Sequence, residues 1–211
     1  MKVSIIGAGS MAGGIANRFA SGGHSVTVSH VDLEKANTLV ADLGNAPGAR
    51  VEALPVDTAL DNPVVVLAMP FAAARDFAER NAARLAGKIV VDISNPLNAT
   101  YDGLVTAPGR SAAEEIAAIL PKSKVVKAFN TTFAGTLIDG AVQGHALDVF
   151  IAGDDDDAKQ VVIGLVRDSK LRPIDAGRLD RARQLEGLAL LGITLQGPLG
   201  TGFMSAWKLV A

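Results

Sequence analysis

Short apolar runs along the chain alternate with segments whose apolar residues recur every three or four positions. The runs predict strands at 3–6, 26–29, 64–68, 89–92, 125–129, 149–152 and 172–174. Several of these runs are apolar almost throughout, which is typical of parallel strands that are covered on both faces. The pattern therefore predicts a central parallel sheet.

The segments between the strands have helical periodicity. Met11, Ile15 and Phe19 are spaced by four residues and share one helix face. Asp32 is placed to cap the next helix, and Gly44 is placed to end it. Further helices are predicted at 72–85, 111–120, 156–167 and about 180–195. This alternation predicts an α/β fold, a doubly wound Rossmann sheet with a short C-terminal helical piece.

The chain divides at about residue 175. Residues 1–175 carry the alternating pattern and predict the Rossmann domain, whereas 176–211 predict a helical appendage. The helix at 180–195 is apolar on most faces, and the tail at 197–202 is expected to end it. Its apolar surface has two interpretations that the sequence leaves open: packing onto a second subunit, or burial against the chain's own sheet.

A glycine-rich loop joins the first strand to the first helix. Gly7, Gly9 and Ala12 match the pattern G-x-G-x-x-G/A, in the strand–turn–helix setting that the pattern requires. Gly7 allows the tight turn, Gly9 leaves room for a pyrophosphate, and Ala12 lets helix and strand approach. The helix N-terminus offers free N–H groups to phosphates, and Ser10 adds a hydroxyl donor. The loop therefore predicts a nicotinamide-dinucleotide site.

The end of the second strand should select the dinucleotide. An acid there would bind a ribose diol, and a basic group would bind the 2′-phosphate of NADP. Asp32 has about the right spacing for the acid, but it also occupies the helix N-cap position. Ser29, His30 and Lys35 could together receive a phosphate. These residues alone leave NAD and NADP open.

Composition excludes several other functions. Of the 211 residues, 49% are hydrophobic and 20% are charged, which indicates a globular chain. The net charge of −2 offers no basic surplus for nucleic acid or an anionic membrane. The chain has no cysteine, hence no disulfide, thiolate metal site or thiol nucleophile. The apolar run at 188–195 is far short of the ~20 residues that span a bilayer. We expect a soluble cytoplasmic protein.

The charged residues have structural interpretations. The acidic run from Asp154 to Asp157 stands where a helix begins, so capping is favoured over a metal site. The three histidines lack metal-ligand spacing, and no metal is expected. Lys127 could be a catalytic acid, but a position at a strand end in solvent is favoured. The helix start at 178–186, with three arginines, Asp180 and Glu186, is expected to be solvated.

Five blocks of sequence together resemble one known family. They are IGAGSMA at 6–12, DISNP at 92–96, KAFNTT at 127–132, GDDD at 153–156 and LRPIDAG at 171–177. In this order, and over nearly the whole chain, they resemble the NADPH-dependent deazaflavin-coenzyme reductases, also called coenzyme F-420-dependent NADP oxidoreductases. The block at 127–132 is also similar to the cytoplasmic oxidoreductase domain of the six-transmembrane metalloreductases.

The resemblance implies a homodimer that binds NADP(H) and a flat tricyclic acceptor, covered by the C-terminal piece. It implies these cofactor contacts: Gly7, Gly9, Ser10, Met11 and Ala12 at the pyrophosphate, Met69 and Pro70 on the adenosine side, and Ser94, Asn95 and Pro96 at the nicotinamide. Asn130, Thr131 and Thr132 are implied to face the acceptor. The chain departs from the archaeal reductases at Val31 and Asp32, where those proteins carry basic residues.

The sequence predicts an oxidoreductase that moves hydride between NADPH and a deazaflavin (F-420) or flavin. No catalytic side chain is required, because hydride transfer between cofactors needs positioning and exclusion of water. The loop at 97–110, with Tyr101, is expected to close over the acceptor. Phe203 and Trp207 could wall an aromatic acceptor or serve packing.

Two alternatives remain at this point. The opening Gly-x-Gly-Ser-Met is similar to pyrroline-5-carboxylate reductases and β-hydroxyacid dehydrogenases, which implies an imine or hydroxy-acid reductase. Those families add a large helical domain, and only about 35 residues follow Gly177 here. The second alternative is a non-catalytic module that senses NADP(H).

Overall fold

The computed structural model describes residues 1–43 and 50–210. Its strands are β1 (Lys2–Ile6), β2 (Ser25–Ser29), β3 (Arg50–Ala53), β4 (Val64–Leu67), β5 (Ile89–Asp92), β6 (Lys124–Lys127), β7 (Ala141–Val142), β8 (His145–Ala146), β9 (Asp148–Gly153) and β10 (Arg172–Gly177). Its helices are α1 (Ser10–Ser21), α2 (Leu33–Leu43), α3 (Val56–Ala59), α4 (Phe71–Leu85), α5 (Ala112–Ile119), α6 (Ala134–Asp139), α7 (Asp156–Asp168) and α8 (Ala182–Leu199). A short 3-10 helix, Leu179–Arg181, precedes α8.

Eight strands form one sheet in the order β10-β9-β6-β5-β4-β1-β2-β3. The first six strands along the chain, β1 to β6, are parallel and lie in the doubly wound order 3-2-1-4-5-6. β9 is antiparallel to β6, and β10 is parallel to β9, so the last two strands run opposite to the rest. The predicted Rossmann sheet is confirmed, and the strict parallel arrangement holds for its first six strands.

Helices cover both faces of the sheet, because the strands carry apolar side chains on both sides. One buried cluster joins Phe19 of α1 and Val162 of α7 to the sheet. The other joins Phe77 of α4, Ile116 of α5 and Leu179 to the opposite face. β4 is buried at every position, which explains its continuous apolar run.

Several local predictions can be compared with the structure. The Oδ1 atom of Asp32 accepts a hydrogen bond from the N–H of Glu34 at 3.2 Å, which confirms the N-cap. Asp155 caps α7 by accepting from the N–H of Ala158 at 2.8 Å, which confirms a capping function for the acidic run. The predicted stop at Gly44 lies outside the described residues.

The sequence pattern missed four short elements: β3, α3, α6 and the β7–β8 hairpin. They are two to six residues long, too short for periodicity to distinguish them from loops. The predicted end of α8 was also wrong, because the helix continues through Pro198 to Leu199. Gly200 then ends it with a left-handed φ of 61°.

α8 packs on the rest of the chain through one face, which buries Leu185, Glu186, Ala189 and Gly192. Leu191 and Leu199 lie on its solvent side and are 49% and 64% exposed. In the described part of the chain, no helix has the length and hydropathy needed to cross a membrane.

Candidate functional site

The glycine loop lies at the carboxyl ends of β1 and β4, where the strand order reverses direction. A Cβ on Gly7 would lie 2.1 Å from the carbonyl oxygen of Ala68, and the φ of Gly7 is +136°. A side chain is therefore excluded at Gly7 on both counts. A Cβ on Gly9 would meet no atom within 4 Å. The fold thus needs a glycine at position 7, whereas the surface beside Gly9 is open.

The N-terminus of α1 opens directly onto this loop. Gly9 is the N-cap residue and provides no side-chain cap, and the first turn contains no acidic residue. The first intrahelical bond runs from the N–H of Gly13 to the carbonyl of Gly9 at 3.1 Å. The first-turn N–H groups and the helix dipole therefore face the loop without a competing carboxylate. This arrangement suits an anion.

Three neighbouring cavities follow the carboxyl edge of the sheet. The outer cleft, about 430 Å³, lies between the loop, the end of β2 and α4. The central cleft, about 650 Å³, lies between the loop and the end of β5. The tail pocket, about 530 Å³, lies between the ends of β5 and β6, α8 and the C-terminal tail. Gly9, Met69 and Pro70 line both clefts, and Met11, Asn95 and Tyr101 line both the central cleft and the tail pocket. The cavities therefore form one continuous surface.

Most of the predicted cofactor residues lie along this surface. The residues that line the clefts are Gly7, Gly9, Ser10, Met11, His30, Met69, Pro70, Ser94, Asn95 and Pro96. Ala12 is fully buried against the sheet and acts in packing. Ser29 is also fully buried, at the last position of β2.

Three buried polar atoms at this edge lack a partner within the described residues: Ser29 Oγ, Ser94 Oγ and Asn130 Oδ1. They stand at the ends of β2, β5 and β6. Burying a polar group without a hydrogen bond is costly, so such groups need an explanation. A polar ligand would provide one for Ser94 and Asn130, which line the central cleft and the tail pocket, whereas Ser29 is not among the lining residues.

Asn130 is held firmly in one orientation. Its Nδ2 donates to Asn95 Oδ1 and to the carbonyl of Leu185, each at 3.0 Å. Because a backbone carbonyl can only accept, the amide cannot be reversed, and Oδ1 is the atom left over. Phe129 turns the chain here with a left-handed φ of 62°, an unusual conformation for a buried aromatic residue. Asn130 thus ties two strand ends to α8 rather than closing its own turn.

The C-terminal tail supplies one wall of the tail pocket. Phe203 packs edge-on against Phe133, with ring centroids 5.3 Å apart, and remains 49% exposed. The buried Gln196 holds this turn by accepting from the N–H of Phe203 at 3.0 Å. Thr132 lines the pocket, although its hydroxyl already donates to the carbonyl of Phe129 at 2.7 Å. Thr131 is 4% exposed and is not among the lining residues.

The end of β2 has a defined arrangement. The Nδ1 atom of His30 accepts from the N–H of Asp32 at 3.0 Å, which leaves the proton on Nε2 in the neutral ring. The carboxylate of Asp32 faces the start of α2 and caps this helix by accepting from the N–H of Glu34. Sequence reasoning missed Arg80 of α4, which lines the outer cleft together with His30 and Val31.

Lys127 was predicted to lie in solvent at a strand end, and the structure shows that this prediction is wrong. It is 0% exposed, and its ammonium lies 2.7 Å from Asp92 and 2.8 Å from Glu186. Burial works against the charged form, but the two carboxylates outweigh burial and raise the pKa of Lys127. Glu186 is equally buried, so the solvated helix start is also wrong for this residue. The sequence contained a signal, because Asp92 and Lys127 each follow two valines and end neighbouring strands, β5 and β6, in register with one another.

The arginines at the start of α8 behave differently from one another. Arg178 and Arg181 are exposed as predicted. Arg183 forms a bidentate pair with Glu114 of α5, with Nε 2.8 Å from the carboxylate. This bond holds the pKa of Glu114 down at about 2.

Comparison with known proteins gives consistent results. The family model "NADP oxidoreductase coenzyme F420-dependent" matches residues 2–96. The F420-dependent NADP reductase of Methanocaldococcus jannaschii is 30% identical over 212 residues, covering 93% of each chain. A solved structure from Arthrobacter sp. FB24, described as an F420-dependent NADP reductase, superposes with a TM-score of 0.87 at 31% identity, over the full length of both chains.

A second group of relatives is longer. The metalloreductase STEAP3 of Rattus norvegicus is 32% identical over 189 residues, which are 90% of this chain. The match spans only 36% of STEAP3, so it concerns one part of that protein.

Proposed function

Because this chain belongs to the F420-dependent NADP oxidoreductase family, we propose that it transfers hydride between NADP(H) in the two clefts and a flat deazaflavin in the tail pocket. The observation that carries the proposal is the continuous surface along the strand ends, from the outer cleft to the tail pocket. Ligands of open α/β sheets bind in this place.

The glycine loop fits the pyrophosphate of NADP(H). Gly9 leaves open space where a side chain would stand, and the uncapped N-terminus of α1 directs N–H groups into it. Ser10 and Met11 line the same cleft and would contact the phosphates from the first turn.

Three residues from the end of β5 are assigned to the nicotinamide. Ser94, Asn95 and Pro96 line the central cleft, opposite Met69 and Pro70. The unpartnered Ser94 Oγ can bond a carboxamide, which both donates and accepts hydrogen bonds. The apolar side chains around it would exclude water from the reacting carbon atoms.

The tail pocket is assigned to the acceptor. Its walls are mostly apolar, with Ile93, Phe133, Ile193 and Phe203 among them, as a flat tricyclic ring requires. Asn130 Oδ1 is a fixed acceptor for an imide N–H at the ring edge. Of the predicted acceptor residues, Thr132 and Phe203 would make van der Waals contact, and Thr131 would act by packing beneath the pocket.

We assign the outer cleft to the adenosine and its 2′-phosphate. Asp32 caps α2, so we do not assign it to the ribose diol of NAD. His30 lines the cleft. Ser29, the residue before it, is fully buried and is not among the lining residues, and Lys35 lies on the following helix, α2. Arg80 supplies a guanidinium from the opposite wall, and its Nε is bonded to the carbonyl of Asp76 at 3.1 Å. These groups favour NADP over NAD.

The chain acts through position and not through acid–base chemistry. When bound, NADPH supplies the hydride as a two-electron donor. The loop and α1 fix one end of the cofactor, Ser94 and Asn95 fix the other, and Asn130 aligns the acceptor beside it. With both cofactors bound, these residues would hold the two rings at a near-attack distance of ~3–3.5 Å, which would supply the rate acceleration. Tyr101, which is 61% exposed and borders both cavities, is placed to cover the ring pair.

A homodimer is part of the proposal. Leu191 and Leu199 are exposed on α8, the helix that supplies Ile193 to the tail pocket, and would be covered by a second copy. Light scattering of the purified protein should give twice the monomer mass of 21.7 kDa. A monomer at micromolar concentration would remove this part and leave the hydride-transfer proposal intact.

The test of the activity is a direct assay. Purified protein is mixed with NADPH and, in separate reactions, with deazaflavin F-420, a free flavin, or a small cyclic imine, and absorbance is followed. We expect turnover with the deazaflavin. Turnover only with the imine would support an imine reductase, and tight NADPH binding without any turnover would support a sensing module.

A further inference from the structure

Three charged side chains are buried together beneath the central cleft. Lys127 at the end of β6, Asp92 at the end of β5 and Glu186 of α8 are each 0% exposed. The lysine ammonium has three N–H donors, and three oxygens accept them: Asp92 Oδ2 at 2.7 Å, Glu186 Oε1 at 2.8 Å and the carbonyl of Ser94 at 2.5 Å. The donors of Lys127 are therefore fully used, and none faces a ligand.

Two hydrogen bonds, one from Lys127 and one to Asp92, hold the segment that borders the central cleft. Lys127 binds the carbonyl of Ser94, and Asp92 Oδ1 accepts from the N–H of the same residue at 2.9 Å. Ser94 is thus held by both of its backbone polar groups. Of the four residues Asp92, Ser94, Lys127 and Glu186, Ser94 is the one that lines the cleft. Its hydroxyl has no hydrogen-bond partner.

Glu186 carries the network into the helices. Its Oε2 accepts from the N–H of Ala112 at 3.0 Å, at the start of α5. The preceding residue, Leu185, accepts from Asn130 Nδ2 at 3.0 Å. One turn of α8 therefore contacts the end of β5 through Lys127, the end of β6 through Asn130, and the N-terminus of α5 directly.

We propose that Glu186, acting through Lys127, is a positioning residue that couples the seat of α8 to the shape of the nicotinamide subsite at Ser94 and Asn95. The inference rests on the proposed function, because it takes the central cleft as that subsite. Neither Glu186 nor Lys127 is among the residues that line the central cleft, so both are positioning residues and not catalytic ones.

Stability alone does not account for the arrangement. Burying charges costs desolvation energy, and well-packed apolar side chains of similar volume often give equal or better stability. What the ionic network adds is direction, because each bond has a defined donor and acceptor. Two of these directed bonds fix the backbone of Ser94. A small displacement of that backbone would misplace the Ser94 hydroxyl in the cleft.

The test compares whole cofactor with a cofactor fragment. Glu186→Gln keeps the size of the side chain but takes one acceptor oxygen from Lys127 or Ala112. The dissociation constants of NADPH and of 2′-phospho-ADP-ribose, which lacks the nicotinamide, are measured by calorimetry for the variant and the wild type. We expect a two- to tenfold weaker binding of NADPH, the effect of one lost hydrogen bond, and unchanged binding of the fragment.

Glu114→Gln is the matched control. It also weakens a carboxylate contact between α5 and α8, through Arg183, but Glu114 is not bonded to Lys127. It should leave both dissociation constants unchanged in the folded protein. Equal weakening of both ligands by Glu186→Gln, or no weakening of either, would overturn the inference. Wild-type protein that binds neither ligand would instead overturn the proposed function, and the inference with it.

A second measurement covers the case in which Glu186→Gln does not fold. Backbone hydrogen exchange of the wild type is followed with NADPH, with the fragment, and without ligand. We expect NADPH, and not the fragment, to slow exchange at Ala112 and at the first turns of α8, which lie outside the clefts. Protection limited to the cleft residues would contradict the coupling.

Discussion

Gly7 and Gly9 lie two residues apart in the loop and obey opposite steric constraints. Any side chain at position 7 would collide with the backbone of Ala68, and the fold therefore requires Gly7. A side chain at position 9 would meet no atom of the protein, so the fold does not require Gly9. We infer that this glycine leaves room for the bound pyrophosphate. The structure thus separates a folding requirement from a binding requirement within one short motif.

Gly9→Val is expected to weaken NADPH binding by about ten- to a hundredfold, because the branched side chain displaces charge-assisted bonds to phosphate worth ~1.5–3 kcal/mol. Its melting temperature should stay near that of the wild type. Gly164→Val, which places the same side chain in open space on α7, is the control and should not affect NADPH binding. Normal cofactor affinity in a folded Gly9→Val protein would refute the phosphate site.

Arg80 provides the sharpest test of the cofactor choice. Arg80→Ala should weaken NADPH binding by about tenfold, as expected for a lost charged hydrogen bond, and should leave NADH binding unchanged. Arg84→Ala removes the same charge one turn further along α4, where the guanidinium faces Asp57 and Asp61. An equal loss for both cofactors would assign Arg80 to the adenine ring, and no loss would remove it from the site.

Asn130→Ala tests the acceptor assignment. Loss of one neutral hydrogen bond should reduce kcat/KM for the acceptor two- to tenfold. The variant should also be less stable, because the amide no longer bonds Leu185. Asn62→Ala, which removes an amide bonded to Ser4 on the opposite edge of the sheet, should lower stability alone. Unchanged acceptor kinetics in folded Asn130→Ala protein would place the acceptor elsewhere.

At the scale of elements, the joint between α5 and α8 holds the C-terminal piece in place. Ser111 and Glu114 form a capping box at the start of α5. α8 adds two carboxylate contacts to the same turn, since Glu186 accepts from its backbone and Arg183 binds Glu114. Helical periodicity predicted both helices but not this joint, because the rotation of each helix about its axis depends on its partners.

The Glu114–Arg183 pair predicts a pH dependence of stability. Its hydrogen bond to Arg183 lowers the pKa of Glu114 from 4.5 to about 2 in the folded protein. A carboxyl with a depressed folded pKa stabilises the fold above its unfolded pKa, and this stability is lost as the pH falls toward the folded pKa. Arg183→Ala should therefore be less stable at neutral pH and should lose less stability between about pH 4.5 and pH 2.

Urea unfolding of the wild type and the variant across this pH range checks the prediction. Arg178→Ala is the control, because its pairing with Asp154 is 3.6 Å long and largely in solvent. It should follow the wild-type curve. An identical acid decline in Arg183→Ala and wild type would show that the pair contributes nothing to folding.

At the scale of the molecule, the sequence predicted the sheet, and it placed the candidate site at the carboxyl edge, where the cavities lie. Apolar runs such as β4 identify buried strands without knowledge of their neighbours, and the glycine loop identifies the carboxyl edge. The burial of Lys127 and Glu186 could not be predicted because each bonds to residues 35 to 74 positions away. Arg80 was missed because the cleft that it lines is formed with distant residues such as His30. Charges of this kind can be interpreted only when the packing of distant elements is known.

The central claim is direct transfer of hydride between two cofactors held side by side on this surface. The most direct measurement uses NADPH that carries deuterium at the nicotinamide C4, with deazaflavin F-420 as the acceptor, followed by mass spectrometry of the reduced product. We predict one deuterium per reduced deazaflavin from one of the two C4 epimers and none from the other, because a single bound geometry presents a single face. Reduced product without deuterium from either epimer, or no reduction at all, would contradict the account.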